Sequence, residues 1–161
     1  MKIFSVEYLG ELTVQAQNNQ RKRQHRNIHE SYEDPCQRLF NAIEPWSYIR
    51  PHRHSSDSRD ELLIAVRGLM AIVTFDDQGV VSKVVRFGNG TGCQGLAVGA
   101  EVPAIQWHTV VALESASILL EVKAGPFGPN QAKDFAPWAP VEGGAGAQQY
   151  LEELMSKINR S

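Results

Sequence analysis

The sequence predicts a mainly β, antiparallel sandwich or barrel followed by a C-terminal helix. Three observations carry that expectation. From about residue 38 to 124 short apolar runs recur at close spacing, at strand length and too short for most helices. The runs are separated by turn chemistry, Asp76-Asp77-Gln78-Gly79 and the "GNGTG" of 88–92, where glycine supplies the positive φ that tight reversals use. Finally, "QQYLEELMSKIN" (148–159) places Tyr150, Leu151, Leu154 and Ile158 on one helical face.

Taken in order, residues 1–32 are polar and mixed and form an N-terminal arm, with "RKRQHRNIH" (21–29) as its concentrated basic stretch. "DPCQRLFNAI" (34–43) has an aspartate and a proline where a helix would start, and Cys36, Leu39, Phe40 and Ile43 at helical spacing. It is also short enough to be a strand, and periodicity leaves both open. "LLIAV" (62–66) and "LMAIVTF" (69–75) read as two strands parted by Arg67-Gly68. "VVSKVVRF" (80–87) returns from the Asp76 turn, so 69–87 reads as a hairpin. "HTVVAL" and "SILLEV" add two more strands on either side of Glu114-Ser115. Residues 125–147 are rich in Pro and Gly, and Phe127, Phe135 and Trp138 mark them as an ordered covering loop. No repeat or linker divides the 161 residues, a length suited to a single domain over 1–161.

Composition excludes several functions. A formal net charge of −2 and the lack of aromatics among residues 21–26 oppose nucleic-acid binding. Cys36 and Cys93 are too few and too far apart for a disulfide framework or a Cys metal site, which favours reduced thiols and a cytoplasmic setting. Glu7 and Glu11 interrupt what a signal peptide would need, and no apolar run approaches the ~20 residues of a membrane span. A soluble protein without membrane partners is expected.

The chemistry concentrates in "PHRHSSDSRDELLIAVRG" (51–68). On a strand, residues i and i+2 share a face, so His52 and His54 present two imidazoles together with Arg53 turned away. Glu61 opens the following strand and can fold back towards them. "VPAIQWHTVVAL" supplies a third imidazole, His108, five residues after Pro103. Three imidazoles and a carboxylate suit one divalent ion, whether zinc, iron(II), nickel or manganese. Asp57 and Asp60 are possible substitutes for Glu61.

These residues resemble the two motifs of the cupin superfamily: His-x-His with a Glu and, six residues on, Gly68; then Pro103 with His108. The spacing from His54 to Glu61 is longer than usual for cupins, and Ile105 stands where a glycine is usual. "RNIHES", "DPCQRLFNAIEPWSYIRPHRH", "WHTVVALE", "LLEVKAGPFGP" and "KDFAPWAPVE" together resemble the WbuC-type family of cupin-fold metalloproteins across about residues 21–141. Some members are associated with bacterial O-antigen polysaccharide gene clusters.

The resemblance implies a single cupin jelly-roll barrel, with residues 38–43 as a strand, and a metal held in a pocket by His52, His54, Glu61 and His108. It also implies that the basic segment takes part in the pocket, with Arg21, Arg23, Arg26, Asn27 and His29 as candidate contacts to an anionic small-molecule substrate. Trp46, Trp107 and Trp138 are expected as core or rim packing, and Lys123 and Lys133 as surface residues. The function expected is a metal-dependent enzyme on a small polar, sugar-related molecule, by isomerase or lyase chemistry. The alternatives are an iron(II) dioxygenase and a non-catalytic sugar or sugar-acid sensor. The N-terminal arm suggests a homodimer by segment exchange.

Overall fold

The computed structural model describes residues 1–56, 58–128 and 133–161. Its helices are α1 (Val6–Asn18) and α2 (Ala147–Arg160). Its strands are β1 (Arg23–Asn27), β2 (Cys36–Ile43), β3 (His52–Arg53), β4 (Glu61–Phe75) and β5 (Val81–Asn89), then β6 (Gly99–Val102), β7 (Trp107–Ala112), β8 (Ser117–Ala124) and β9 (Asp134–Phe135). They form one curled antiparallel sheet in the order β1-β2-β8-β4-β7-β3-β9, with β5 and β6 also paired to β4. This is the mainly β barrel with a C-terminal helix that the sequence predicts.

The two expected strands at 62–66 and 69–75 are a single 15-residue strand, and this is a correction. Its first half pairs with β8 and β6, and its second half with β7 and β5. The break expected at Arg67-Gly68 is a bend: the register with β8 shifts between Ala65 and Arg67, and Gly68 has φ +81°. A Cβ at Gly68 would lie 2.9 Å from Ser117 Cα, so only glycine lets β4 pass this close to β8. Burial follows the change of partners. Glu61, Leu63 and Ala65 alternate inward, whereas Met70 to Val73 are buried on both faces. Met70 and Ile72 join Leu63, Val110 and Leu119 inside the barrel. Ala71, Val73 and Phe75 pack outside it against Leu151, Leu154 and Ile158 of α2. Each fully buried leucine or isoleucine of that helix stripe contributes roughly 1.5–3 kcal/mol.

Residues 36–43 form a strand. Their helix-like spacing arises because both faces are covered: Phe40 and Ala42 face α1, while Leu39 and Asn41 line the interior. α1 lies where the sequence suggests only an arm over residues 1–32. Ser5 caps it by accepting from the Tyr8 N–H at 3.2 Å, and Leu12 and Ala16 pack on Phe40, Ala42 and Ile118. Trp107 is buried as expected, whereas Trp46 is 53% exposed and sits at φ +72°. Among the described residues, no helix is long and apolar enough to cross a membrane.

Candidate metal centre and its cavity

Sheet pairing assembles the cluster. His52 on β3 is the cross-strand partner of His108 on β7. The His54 N–H donates to Ala104 O at 2.7 Å, which ties the His-x-His segment to the Pro103 turn leading into His108. Glu61, the first residue of β4, pairs with Val102 of β6 and Lys123 of β8. The chain between His54 and Glu61 absorbs the long spacing noted in the sequence. Asp60 does not replace Glu61, because its Oδ1 accepts the Ala104 N–H at 2.9 Å and holds that same turn. Asp57 lies outside the described residues.

His52, His54, Glu61 and His108 are all buried, and one ligand atom from each lies within 4.8 Å of the others. Glu61 Oε2 is 3.4 Å from His54 Nε2 and 3.5 Å from His108 Nε2. The tautomers follow from what surrounds the rings. His52 Nδ1 is 3.0 Å from Arg50 O and His108 Nδ1 is 2.9 Å from Gln106 O. A carbonyl only accepts, so each Nδ1 carries the proton and each Nε2 turns a lone pair inward. Neither Nε2 makes a hydrogen bond. In its neutral form His108 therefore faces the Glu61 carboxylate acceptor to acceptor, an opposition that a shared cation removes. Carbonyl-oriented imidazoles around one carboxylate are the donor set of a divalent metal, and the cluster fits such a site.

The local electrostatics agree. Burial, with the charges of Lys133 and His108 adding to it, holds His52 well below its ordinary pKa, so the ring is neutral. Burial opposes charge on Glu61, but positive charge shared at His108 Nε2 and His54 Nε2, supplied by protons where no metal ion is present, together with Lys133, holds its carboxyl well below the usual range. Lys123 Nζ lies 3.2 Å from His54 Nδ1.

The cluster opens on a cavity of about 520 Å³, the size of a small-molecule site. Its wall follows the two-residue period of the strands: Gln37, Leu39 and Asn41 from β2, Leu119, Glu121 and Lys123 from β8, and Glu61 and Leu63 from β4. Of the segment expected to reach a substrate, Arg21, Arg23, Asn27 and His29 line this cavity. Both arginines are also engaged by Glu142: Arg21 Nε donates at 2.6 Å, and Arg23 Nη2 donates to the other carboxylate oxygen. Arg26 is a correction. It alternates to the opposite face of β1, where its guanidinium stacks 4.5 Å from the Tyr8 ring centroid on α1. Lys123 is a second correction, being buried and not on the surface. Lys133 is exposed yet lines the cavity.

Sequence reasoning missed Asn41, Arg50, Glu121 and Lys123 as cavity residues. For Lys123 a signal existed: an inward Glu61 at the start of one strand makes its cross-strand partner inward too, once β4–β8 pairing is known.

The fold resembles several solved structures. Protein TT1209 from Thermus thermophilus matches with a TM-score of 0.53 at 20% identity, over 78% of this chain and 98% of that one. KdgF from Halomonas sp. matches with a TM-score of 0.50 at 16% identity, over 67% and 83%. Oxalate decarboxylase from Bacillus subtilis matches with a TM-score of 0.52 at 17% identity, over 83% of this chain but 34% of that longer one. At these identities the likeness is one of fold, the cupin jelly roll. No curated protein matches in sequence. A family model covers residues 4–87, and so the chain, a cupin-fold protein, belongs to the family described as domain of unknown function DUF6016.

Proposed function

We propose that this cupin holds one divalent metal ion through His52, His54, Glu61 and His108 and acts on a small anionic, sugar-related molecule bound beside it. The observation that carries this is the inward-facing, unbonded Nε2 of His52 and of His108 around a buried carboxylate, set at the edge of a ligand-sized cavity. The cavity's charge supports an anion. Arg21, Arg23, Arg50, Lys123 and Lys133 line it against the carboxylates Glu61, Glu121 and Glu142. Five cationic groups against three acids is an excess of two before any metal is added, opposite in sign to the −2 of the whole chain. Such a wall concentrates anions from solvent and favours carboxylate or phosphate groups.

When bound, a divalent ion would supply a Lewis acid for a carbonyl or hydroxyl; iron(II) would also leave two of six positions for substrate and dioxygen. The chain's own residues do the rest. His52 and His108 are held in one tautomer by Arg50 O and Gln106 O, Lys123 and Lys133 attract the anion, and His29 and Asn27 line the wall beyond. The likeness of residues 21–141 to the WbuC-type family supports the finer reading, a role in bacterial surface polysaccharide biosynthesis.

Metal analysis of protein purified without added metal tests the first half of the proposal. Screening the loaded protein against sugar nucleotides and sugar acids tests the second. One equivalent of metal with turnover is the expected result. Iron with oxygen uptake assigns the dioxygenase form, and binding without turnover assigns a sensing module. A protein that takes up no divalent metal overturns the reading.

A further inference from the structure

We infer that Asn41 and Glu121 form a hydroxyl-reading pair on the cavity wall, which selects a hydroxylated carboxylate of the sugar-acid class over a bare dicarboxylate. The inference rests on the proposed anion-binding reading of the cavity and assigns the part of the ligand that does not meet the metal.

The pair lies on two hydrogen-bonded strands. Asn41 of β2 is registered with Leu119 of β8, and Glu121 of β8 with Leu39 of β2, which makes them diagonal neighbours on the interior face. Asn41 Nδ2 donates to Glu121 Oε1 at 2.8 Å. Around them the wall is apolar, formed by Leu39, Leu63 and Leu119. Setting an amide and a carboxyl among leucines carries a desolvation cost, which a purely structural pair would offset by satisfying every atom. Here the Asn41 Oδ1 is buried with no hydrogen-bond partner. Among the described residues, Asn41 gives Glu121 its only hydrogen bond. What remains open is an acceptor beside a carboxyl, and it calls for a ligand that brings donors.

A hydroxyl or an ammonium group would serve, and the surroundings choose between them. The excess of cationic groups along the cavity repels an ammonium. Burial among these leucines favours the neutral form of the Glu121 carboxyl. That makes it a poor counter-ion, but a donor and acceptor at once for a hydroxyl. Glu121 lies two residues along β8 from Lys123, a strand repeat of ~6.6 Å, and Lys123 touches the ligand imidazole of His54. A carboxylate at the metal with hydroxyls a few carbons away spans that interval, and oxalate is too short.

The test is calorimetric titration of zinc-loaded protein with D-galacturonate, D-glucuronate, D-gluconate, D-galactose, oxalate and L-glutamate, in the wild type, Asn41→Leu and Glu121→Met. Both substitutions are close in shape, and the zinc stoichiometry of each variant reports that the barrel is intact. The wild type should bind at least one hydroxylated acid more tightly than oxalate. Each variant should weaken that acid about 10- to 100-fold, as expected for losing one or two hydrogen bonds to a buried group, and leave oxalate within about twofold. Equal weakening of oxalate, no change for the hydroxylated acids, or tighter binding of glutamate than of any of them overturns the inference. Failure of every one of these acids to bind overturns the anion reading separately. A loss of galactose affinity in the variants would then still uphold the pair as a hydroxyl reader, and unchanged or absent galactose binding would overturn it.

Discussion

Replacing Glu61 with alanine is the sharpest test of the metal centre, because Glu61 is the only acid of the cluster among the described residues and stands at an unusual distance along the chain from His54. Structural zinc sites bind with roughly 10–16 kcal/mol at neutral pH, so each of four ligands carries about 2.5–4 kcal/mol, or ~10²- to 10³-fold in affinity. Among the described residues, Asp60 does not rescue the loss, since it is held by the Ala104 N–H. His52→Ala and His108→Ala should cost a similar factor. Chelator competition on apo protein reloaded with zinc reads each constant, and elemental analysis after purification reads occupancy. The fold should survive in all three, because none of these side chains belongs to the three apolar clusters. Retention of a full equivalent at wild-type affinity by Glu61→Ala would show that the carboxylate is not a ligand. The same result in all three variants would refute the centre altogether.

Four further outcomes are expected. Zinc at 100 times its dissociation constant should stabilise the fold by about 2.7 kcal/mol, a Tm rise of roughly 5–11 °C for a chain of this size, and an unchanged Tm would contradict a native-state site. Apo protein should lose stability as pH falls below about 6.5. The unfolded chain then binds a proton at His52 that the folded state, with its lowered pKa, refuses, giving a slope of up to ~1.4 kcal/mol per pH unit. Glu61, whose folded pKa is also lowered, stabilises fully above about 4.5 and loses that contribution as pH falls towards its folded value; urea midpoints at pH 7.5, 6 and 5 that coincide would refute the His52 part. Gly68→Ala forces a left-handed φ on a residue with a Cβ and drives it against Ser117, so it should cost more than the ~1–2 kcal/mol of the backbone alone, and a neutral Tm would show that the bend in β4 relaxes freely. The chain is expected as a homodimer, and a monomer mass by light scattering at micromolar protein would count against it.

What the sequence revealed and what it hid divide along one physical line. His52, His54 and the Pro103–His108 pair were legible because strand geometry over a few residues already places them. The C-terminal helix was legible because Leu151, Leu154 and Ile158 all face one packing surface. α1 was not, because its buried residues are only Leu12, Thr13 and Ala16, too sparse to stand out from polar neighbours. Arg26 was misjudged for a related reason. Five strand residues give alternate side chains to opposite faces, and without knowing that α1 covers one of them the basic segment looks uniform.

The cavity wall was the least legible part, and the reason bears on function. A ligand set for a metal can be carried in short motifs, because His52 and His108 each need only their own strand and a carbonyl two residues back. A pocket for an organic ligand is instead made across strands: Lys123 turns inward because it pairs with Glu61, 62 positions away, and Asn41 meets Glu121 at a separation of 80. No local pattern marks an isolated Asn in "RLFNAI" or a Glu in "SILLEV" as lining the cavity, and each would turn away from it had its strand been shifted by one. The metal motif therefore tells which chemistry is available, while register alone decides which molecule receives it. Proteins sharing the motif but differing in the β2–β8 pairs should accept different substrates, so exchanging Asn41 and Glu121 ought to change ligand preference without changing metal content.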